Sequence, residues 1–227
     1  MMGNETTLKA IDGHEFAVYQ APAQGERKGG LILIQEIFGV TAHIRELCDH
    51  FAALGYETWA PAIFDRYERG FAAGYTPDEM QASVKLAGTS GVETPMLDIQ
   101  ACADALRMKG PVAITGFCYG GSLSWVAAAR VEGLACAVGF YGRLIPEHLD
   151  LQPLCPVMLH FGSRDKSIPL DGVRATAEAH PAVKVHIYQA EHGFWSDRPA
   201  NHDDNAIALS QQRTLAFLDR HMAEQAL

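Results

Sequence analysis

One cysteine of this chain stands in a setting that favours nucleophilic chemistry. Cys118 lies within residues 116–121 (GFCYGG), after an apolar strand pattern at 112–115 and before a helical pattern that ends near Arg130. Glycines two positions either side of a nucleophile permit a sharp strand-to-helix turn, which lifts the reactive side chain above a sheet. The helix that begins there directs its free amide groups at the sulfur and favours the thiolate. The alternative is an inert buried cysteine in a glycine-rich turn.

Two later loops carry the acid and the base that such a nucleophile needs. The apolar pattern at residues 157–161 leads to Asp165, and the pattern at 183–188 leads to His192. A nucleophile, then an acid, then a histidine, each after a strand, is the chain order of the α/β-hydrolase fold. We therefore predict that His192 is the base for Cys118 and that Asp165 orients it. Taken singly, a solvated turn aspartate and a loop histidine are the alternatives.

The other histidines form no recognisable ligand set. Most are predicted to be structural or solvated residues on helices and strands, and His160 is predicted to be a hydrogen-bonded core residue; the others are His43, His50, His186 and His221. Residues 201–204 (NHDD) are interpreted as the start of the last helix. Metal-ligand spacing is absent from the sequence. We predict neither a metal nor an organic cofactor.

Short strand patterns alternate with longer helical patterns along the chain. This predicts an α/β fold of the α/β-hydrolase type, with a mostly parallel central sheet and helices on both faces. Strands are predicted at residues 31–35, 56–60, 112–115, 134–140, 157–161 and 183–188. An N-terminal antiparallel pair is predicted at 6–10 and 15–20. Helices are predicted at about 41–55, 95–108, 121–130 and 204–221.

The segment at residues 63–91 interrupts this alternation. Its apolar periodicity weakens into a loop rich in Arg, Tyr and Gly, followed by a short helix that opens near Pro77. We interpret it as a small lid. It belongs to a single predicted domain that spans residues 1–227.

The composition narrows the class of partner. The chain has 227 residues, of which 48% are hydrophobic, and a net charge of −9. An acidic chain is a poor partner for nucleic acid, which is bound by clustered Lys and Arg. A leader or a membrane-length apolar run is not recognisable, and the five cysteines are odd in number and widely spaced. We expect a cytoplasmic enzyme with free thiols and no membrane partner, as a monomer or small homo-oligomer.

Four motifs together resemble those of the dienelactone hydrolases (carboxymethylenebutenolidases). They are residues 35–39 (QEIFG), 116–121 (GFCYGG), the Asp165 loop and 191–194 (EHGF), and the resemblance extends over nearly the whole chain. It implies that Cys118, Asp165 and His192 form a catalytic triad. It also implies that Glu36 contacts the resting thiol and helps to activate it when substrate displaces its carboxylate. The alternative for Glu36 is hydrogen bonding to backbone amides of its own loop.

The resemblance implies hydrolysis of a small-molecule ester or lactone through an acyl-thioester on Cys118. The developing oxyanion is expected to be held by the backbone amides of Ile37 and Tyr119. A general carboxylesterase or thioesterase on the same scaffold is the alternative enzyme, because fold and triad do not determine the acyl group. A non-catalytic receptor for a small molecule and a thiol redox protein are the remaining alternatives.

Substrate contacts are predicted from aromatic and basic residues near these motifs. Aromatic pocket walls, with core packing as the alternative for each, are predicted at Phe38, Tyr119, Tyr141, Phe194 and Trp195. The dienelactone hydrolases hold a substrate carboxylate with two arginines, one in the lid and one shortly after the catalytic histidine.

Here the sequence departs from the family's pattern. Ser196 stands where the second arginine is expected, and Arg198 follows at a position where it can turn to solvent or into the pocket. The lid offers Arg66 and Arg69, with exposed loop charges as the alternative. We therefore expect a weak preference for a carboxylated dienelactone, carried by these two lid arginines.

Overall fold

A computed structural model describes residues 3–198 and 200–225 of the chain. Its strands are β1 (Asn4–Lys9), β2 (Glu15–Ala21), β3 (Gly29–Ile34), β4 (Tyr56–Pro61), β5 (Val112–Phe117), β6 (Cys136–Phe140), β7 (Val157–Gly162) and β8 (Lys184–Tyr188). Its α-helices are α1 (Ala42–Ala53), α2 (Pro77–Ser90), α3 (Pro95–Arg107), α4 (Tyr119–Arg130), α5 (Leu170–Ala179) and α6 (Asp204–Gln225). Short 3-10 helices occupy Ile63–Arg66 and Ile145–Glu147.

All eight strands form one sheet in the order β1-β2-β4-β3-β5-β6-β7-β8. The pairs β1–β2 and β2–β4 are antiparallel, and every other pair is parallel. Strands β3 to β7 are buried at every residue, because helices cover both faces of a largely parallel sheet. The predicted α/β-hydrolase fold with an N-terminal antiparallel pair is confirmed. Within the part of the chain that the structure describes, none of the helices has both the length and the apolarity to cross a membrane.

Two helices differ from the sequence-based expectation. Helix α2 begins at Pro77 as predicted but has 14 residues and is therefore longer than the short helix expected, and a capping box between Thr76 and Glu79 stabilises its start. Helix α5 was not predicted at all. Only Val173 and Thr176 of its ten residues are buried, so its apolar pattern is too weak to be recognised.

Close packing around the turn from β5 to α4 depends on two glycines. A Cβ atom on Gly121 would lie 2.2 Å from the carbonyl oxygen of Phe140 in β6. A Cβ atom on Gly116 would lie 2.2 Å from the carbonyl oxygen of Gly120. Real Cβ atoms do not approach backbone oxygens so closely. Glycine at both positions therefore lets the first turn of α4 pack directly on the carboxyl ends of β5 and β6.

We predict that Gly121→Ala lowers the free energy of unfolding by about 3 kcal/mol, since the added methyl group must displace backbone atoms of β6. Urea denaturation followed by circular dichroism measures this. The matched control is Gly88→Ala in α2, where a Cβ meets no atom within 4 Å. Alanine there should be neutral or stabilise by roughly 0.5 to 1 kcal/mol. Equal stability of the two variants would contradict the packing argument.

Candidate active site

Cys118, His192 and Asp165 form a continuous row of hydrogen-bonded side chains, called here the Cys-His-Asp row. The Sγ atom of Cys118 lies 3.2 Å from Nε2 of His192. On the other side of the ring, Nδ1 of His192 lies 2.6 Å from Oδ2 of Asp165. A carboxylate only accepts hydrogen bonds, so Nδ1 carries a proton and Nε2 is the nitrogen that can exchange a proton with the thiol.

Backbone strain at Cys118 points its side chain away from the sheet. Its φ of 55° and ψ of −112° are unusual for a residue with a side chain, and it caps the first turn of α4. Its amide donates to the carbonyl oxygen of Phe140 at 3.0 Å. The sulfur is therefore held at the amino end of α4, where the helix dipole favours a negative charge.

Two polar residues that the sequence did not single out hold the acid and the base. Ser167 donates to Oδ1 of Asp165 from its amide at 2.8 Å and from its hydroxyl at 2.6 Å. Asn201 donates from Nδ2 to the carbonyl oxygen of His192 at 2.7 Å. A serine two residues after an aspartate is a common turn pattern, which could have indicated the first contact. No sequence signal indicates the second.

Hydrogen bonds within the Cys-His-Asp row shift the pKa values of His192 and Asp165. Burial lowers the pKa of His192, but the hydrogen bonds to Asp165 and Cys118 outweigh burial and raise this pKa to about 10. Burial likewise raises the pKa of Asp165, and hydrogen bonds from His192 and Ser167 more than offset it, so this pKa lies below its usual range. The hydrogen bonds to Asp165 and Cys118 thus favour the protonated form of His192.

A cavity of about 660 Å³ opens above this row and is lined by Cys118, His192 and Glu36. Glu36 follows β3 and is 7% exposed. Burial raises the pKa of Glu36 to about 7, although the nearby charges of His192 and Arg198 act in the opposite direction. A carboxyl group with this pKa can change its protonation state near neutral pH.

Ile37 and Tyr119, whose backbone amides are expected to hold the oxyanion, both line this cavity. Tyr119 is the first residue of α4, and first-turn amides have no acceptor inside their own helix. A Cβ atom on Gly120 would lie 2.4 Å from the carbonyl oxygen of Ile34, so this glycine lets α4 approach the end of β3. The start of α4 and the loop that carries Ile37 are thereby close neighbours.

The predicted aromatic contacts are only partly brought to the cavity. Phe38 and Tyr119 line it, whereas Tyr141, Phe194 and Trp195 are not among the residues that line it. Substrate binding by these three stays a prediction that the cavity lining does not support. Tyr141 lies beneath the site, with its ring 5.0 Å from that of His192. Phe194 is fully buried, and Trp195 donates to Ser210 from its indole nitrogen at 2.8 Å. Their apolar rings support the site from the core.

The predicted lid arginines do not reach the cavity either. Nε and Nη2 of Arg66 bind the two oxygens of Asp98 at 2.9 and 2.7 Å, and Nη1 binds Asp12 at 2.6 Å. Arg69 is exposed and donates to the carbonyl oxygen of Glu15 at 2.8 Å. A substrate carboxylate would have to displace these partners, so their geometry does not support the prediction that Arg66 and Arg69 hold the substrate.

Two other arginines line the cavity instead. Arg198 lies 4.9 Å from the ring of Tyr75 in a cation–π contact and does not turn away to solvent. Arg143 follows β6, and its side chain is 59% exposed with a distant ion pair to Glu147 at 3.8 Å. Positive charge is therefore available at the cavity from residues outside the predicted lid.

His160 lies outside the Cys-His-Asp row and has a structural role. His160 is buried and hydrogen-bonded to Tyr188 at 2.8 Å and Thr214 at 3.1 Å, as predicted for a core histidine. Across residues 3–198 and 200–225, no cluster of three His, Cys, Asp or Glu residues could hold a metal ion.

Comparison with known proteins identifies the family of this chain. The model of the dienelactone hydrolase family matches residues 16–222. The chain belongs to the dienelactone hydrolase family. Carboxymethylenebutenolidase of Pseudomonas putida is 30% identical over 231 residues, which cover 96% of this chain and 97% of that protein. The enzyme of the same name from Pseudomonas sp. strain P51 is 30% identical over 235 residues, or 97% of this chain and 96% of that protein.

Solved structures agree with this family assignment. A protein from Klebsiella pneumoniae that is provisionally described as a dienelactone hydrolase is 26% identical in sequence to this chain. Its solved structure matches with a TM-score of 0.80, over 95% of this chain and 98% of that chain. A dienelactone hydrolase-like promiscuous phosphotriesterase from metagenomic libraries shares the fold, with a TM-score of 0.72 at 19% identity over 97% of this chain and 99% of that chain. As a member of the dienelactone hydrolase family, the chain is a hydrolase that acts on ester or lactone bonds.

We predict that Arg66→Met lowers the free energy of unfolding by about 3 kcal/mol, because it leaves the buried carboxylate of Asp98 without its partner. Arg69→Met removes an exposed contact and should change stability by less than about 0.5 kcal/mol. Neither variant should alter the ratio of kcat/KM between a carboxylated lactone and a neutral one. A selective loss of the carboxylated substrate in Arg66→Met, without destabilisation, would restore its role in substrate binding.

Proposed function

We propose that this member of the dienelactone hydrolase family uses Cys118 as a nucleophile to hydrolyse ester or lactone bonds through an acyl-thioester. His192 is the base and Asp165 is the residue that orients it. The observation that carries the proposal is the unbroken Cys-His-Asp row, with contacts of 3.2 and 2.6 Å, at the floor of a cavity large enough for a small molecule.

The acylation step follows from the directions of the hydrogen bonds. The proton of the Cys118 thiol passes to Nε2 of His192, and the thiolate attacks the carbonyl carbon of the substrate. The negative charge that develops on the carbonyl oxygen is stabilised by the amides of Ile37 and Tyr119. Collapse of this tetrahedral species breaks the bond to the ester oxygen. That oxygen takes the proton from His192, and the acyl group remains on sulfur.

Deacylation uses the same groups in reverse. His192 removes a proton from a water molecule, whose oxygen attacks the thioester carbonyl. The same two amides stabilise the second tetrahedral species. The bond to sulfur then breaks and the carboxylic acid leaves, while His192 returns its proton to the sulfur and regenerates the Cys118 thiol. Each cycle therefore consumes one ester and one water and leaves the enzyme unchanged.

Glu36 is proposed to assist by its charge. Its carboxyl group faces His192 closely enough for the imidazolium to lower its pKa. When ionised, the Glu36 carboxylate attracts that imidazolium and favours the reactive ion pair of thiolate and imidazolium. The resemblance to the family adds that Glu36 contacts the resting thiol until substrate displaces it. Both descriptions make Glu36 part of the activation of Cys118.

Arg198 supports a carboxylate-bearing lactone as one substrate class. It lines the cavity beside Glu36, and an arginine is well suited to bind a carboxylate through paired hydrogen bonds. A general carboxylesterase is the second candidate, and the apolar residues that α2 contributes to the cavity favour it. Comparison of kcat/KM for a carboxylated and a neutral lactone in wild type and Arg198→Gln separates the two. A preference for the carboxylated substrate that Arg198→Gln removes indicates the first.

We predict that iodoacetamide inactivates the enzyme by modifying Cys118 before any other thiol. Burial raises the pKa of Cys155 to about 12 and the pKa values of the other three cysteines further, so their thiolates are scarce at neutral pH. Peptide mass mapping against residual activity measures the order of modification.

His192→Ala is the matched control for this alkylation. It removes the contact at 3.2 Å and should slow both alkylation of Cys118 and ester turnover, the latter by about three powers of ten or more. Full activity after complete alkylation of Cys118 would refute the proposed nucleophile. Unchanged alkylation and turnover in His192→Ala would refute the proposed base.

We predict that kcat/KM rises as the pH increases through about 7, with Glu36 responsible for this limb. The direction follows from its raised pKa. Below this pH Glu36 is neutral and does not attract the imidazolium, whereas above it the carboxylate does. Glu36→Gln should remove the limb and lower the plateau. If kcat/KM of Glu36→Gln still rises through about pH 7, a group other than Glu36 causes the rise.

A further inference from the structure

Helix α2 directs several apolar side chains into the cavity, although Leu86 and Ala87 also pack against the core. Met80, Val84 and Ala87 line the cavity, at helical spacings that place them on one face. The fully buried positions of the helix are instead Ser83 and Ser90. An amphipathic helix on a folded domain ordinarily buries its apolar stripe and exposes its polar one. This exchange leaves apolar surface open beside Cys118.

The exposure of Val84 shows how open this face is. Its side chain is 56% exposed, although it lines the same cavity as Cys118 and His192. Phe38 and Leu144, which lie outside α2, also line the cavity, so a molecule there would have apolar contacts from more than one element. Burying such surface is favourable, by about fourfold in an equilibrium constant for each methylene group removed from water.

Gly88 keeps this part of the cavity free. It lies inside α2, where glycine is less favourable than alanine. A Cβ atom at this position would meet no atom within 4 Å, so packing does not require glycine. Its φ is not in the left-handed region either. What glycine does provide is empty space along the cavity wall.

We infer that the α2 side of the cavity is a subsite for an apolar alkyl or aryl substituent of the substrate, and that Gly88 determines how large this substituent can be. The inference rests on the proposed function, because the subsite is defined by its continuity with Cys118. A cavity of about 660 Å³ encloses far more than an ester group, and it lies in the range that holds drug-sized ligands. The substrate class is therefore an ester or lactone with an extended apolar arm.

Two series of esters test this inference. The first is p-nitrophenyl acetate, butyrate, hexanoate and octanoate, which lengthens the acyl side. The second is the acetates of ethanol, butanol and hexanol, which lengthens the alcohol side. In wild type, kcat/KM should increase by up to about fourfold per added methylene in the series whose arm occupies the subsite. Chain-length independence in both series would overturn the inference.

Three substitutions connect this preference to α2. Gly88→Leu should lower the ratio of kcat/KM for the longest ester to that for the acetate by about tenfold or more, because its side chain fills the subsite. Gly88→Ala should have a smaller effect in the same direction. Val84→Thr adds a hydroxyl at similar volume and should lower the ratio severalfold. The matched control is Gln81→Leu, at an exposed position of α2 that does not line the cavity, and its ratio should equal that of wild type.

The outcomes separate failure of the inference from failure of the proposed function. If Cys118→Ala loses turnover of every ester, the proposed nucleophile stands. If Gly88→Leu then affects short and long esters equally, the subsite is overturned. Turnover of acetate that survives in Cys118→Ala would overturn the proposed function, and the subsite with it. Thermal unfolding of the α2 variants checks that each is folded, and a ratio within one variant does not depend on the amount of active enzyme.

Discussion

The strained backbone of Cys118 is the constraint on which the rest of the site depends. Its positive φ costs of order 1 to 3 kcal/mol and persists only because the surrounding structure enforces it. Glycines at positions 116 and 121 let α4 approach β5 and β6 to distances that no other residue permits. If α4 moved away from the sheet, the sulfur would leave His192 and the first amides of the helix would leave the cavity. Packing of backbone on backbone thus determines where the chemistry is possible.

The sheet order explains why distant parts of the sequence meet at this cysteine. Strands β3, β5, β6, β7 and β8 are neighbours in that order, and parallel strands end at the same edge. Glu36, Cys118, Tyr141, Asp165 and His192 each follow one of these strands. Neighbouring strands lie about 4.8 Å apart, so the three steps from β5 to β8 span roughly 14 Å, whereas Sγ of Cys118 and Nε2 of His192 are 3.2 Å apart. The strands therefore bring the polar groups to one edge, and the loop after β8 carries His192 along that edge to the cysteine.

Features that depend on short stretches of sequence were predicted, whereas contacts between residues far apart in the chain were not. The fold and the family are confirmed, because apolar strands followed by reactive residues are visible in short windows. The roles of Cys118, Asp165 and His192 stay predictions, although their side chains meet as expected. The ion pair of Arg66 was not predicted, because its carboxylate partner Asp98 lies in another helix, far along the chain. The full burial of Phe194 was not predicted, because a loop pattern does not show whether an aromatic ring faces a cavity or the core.

Tyr119 connects the rigid part of the site to the part that shapes the cavity. Its amide lies at the start of α4, and its hydroxyl group donates to the carbonyl oxygen of Gly91 and accepts from the hydroxyl of Ser90 at 3.0 Å. Its ring stacks on Phe64, which belongs to the core. The carboxyl end of α2 is therefore attached to the residue next to the nucleophile. Because the sheet fixes the nucleophile and α2 forms a separate wall, side chains on α2 can change without disturbing the Cys-His-Asp row. The reaction and the choice of substrate are in this way carried by different elements of the fold.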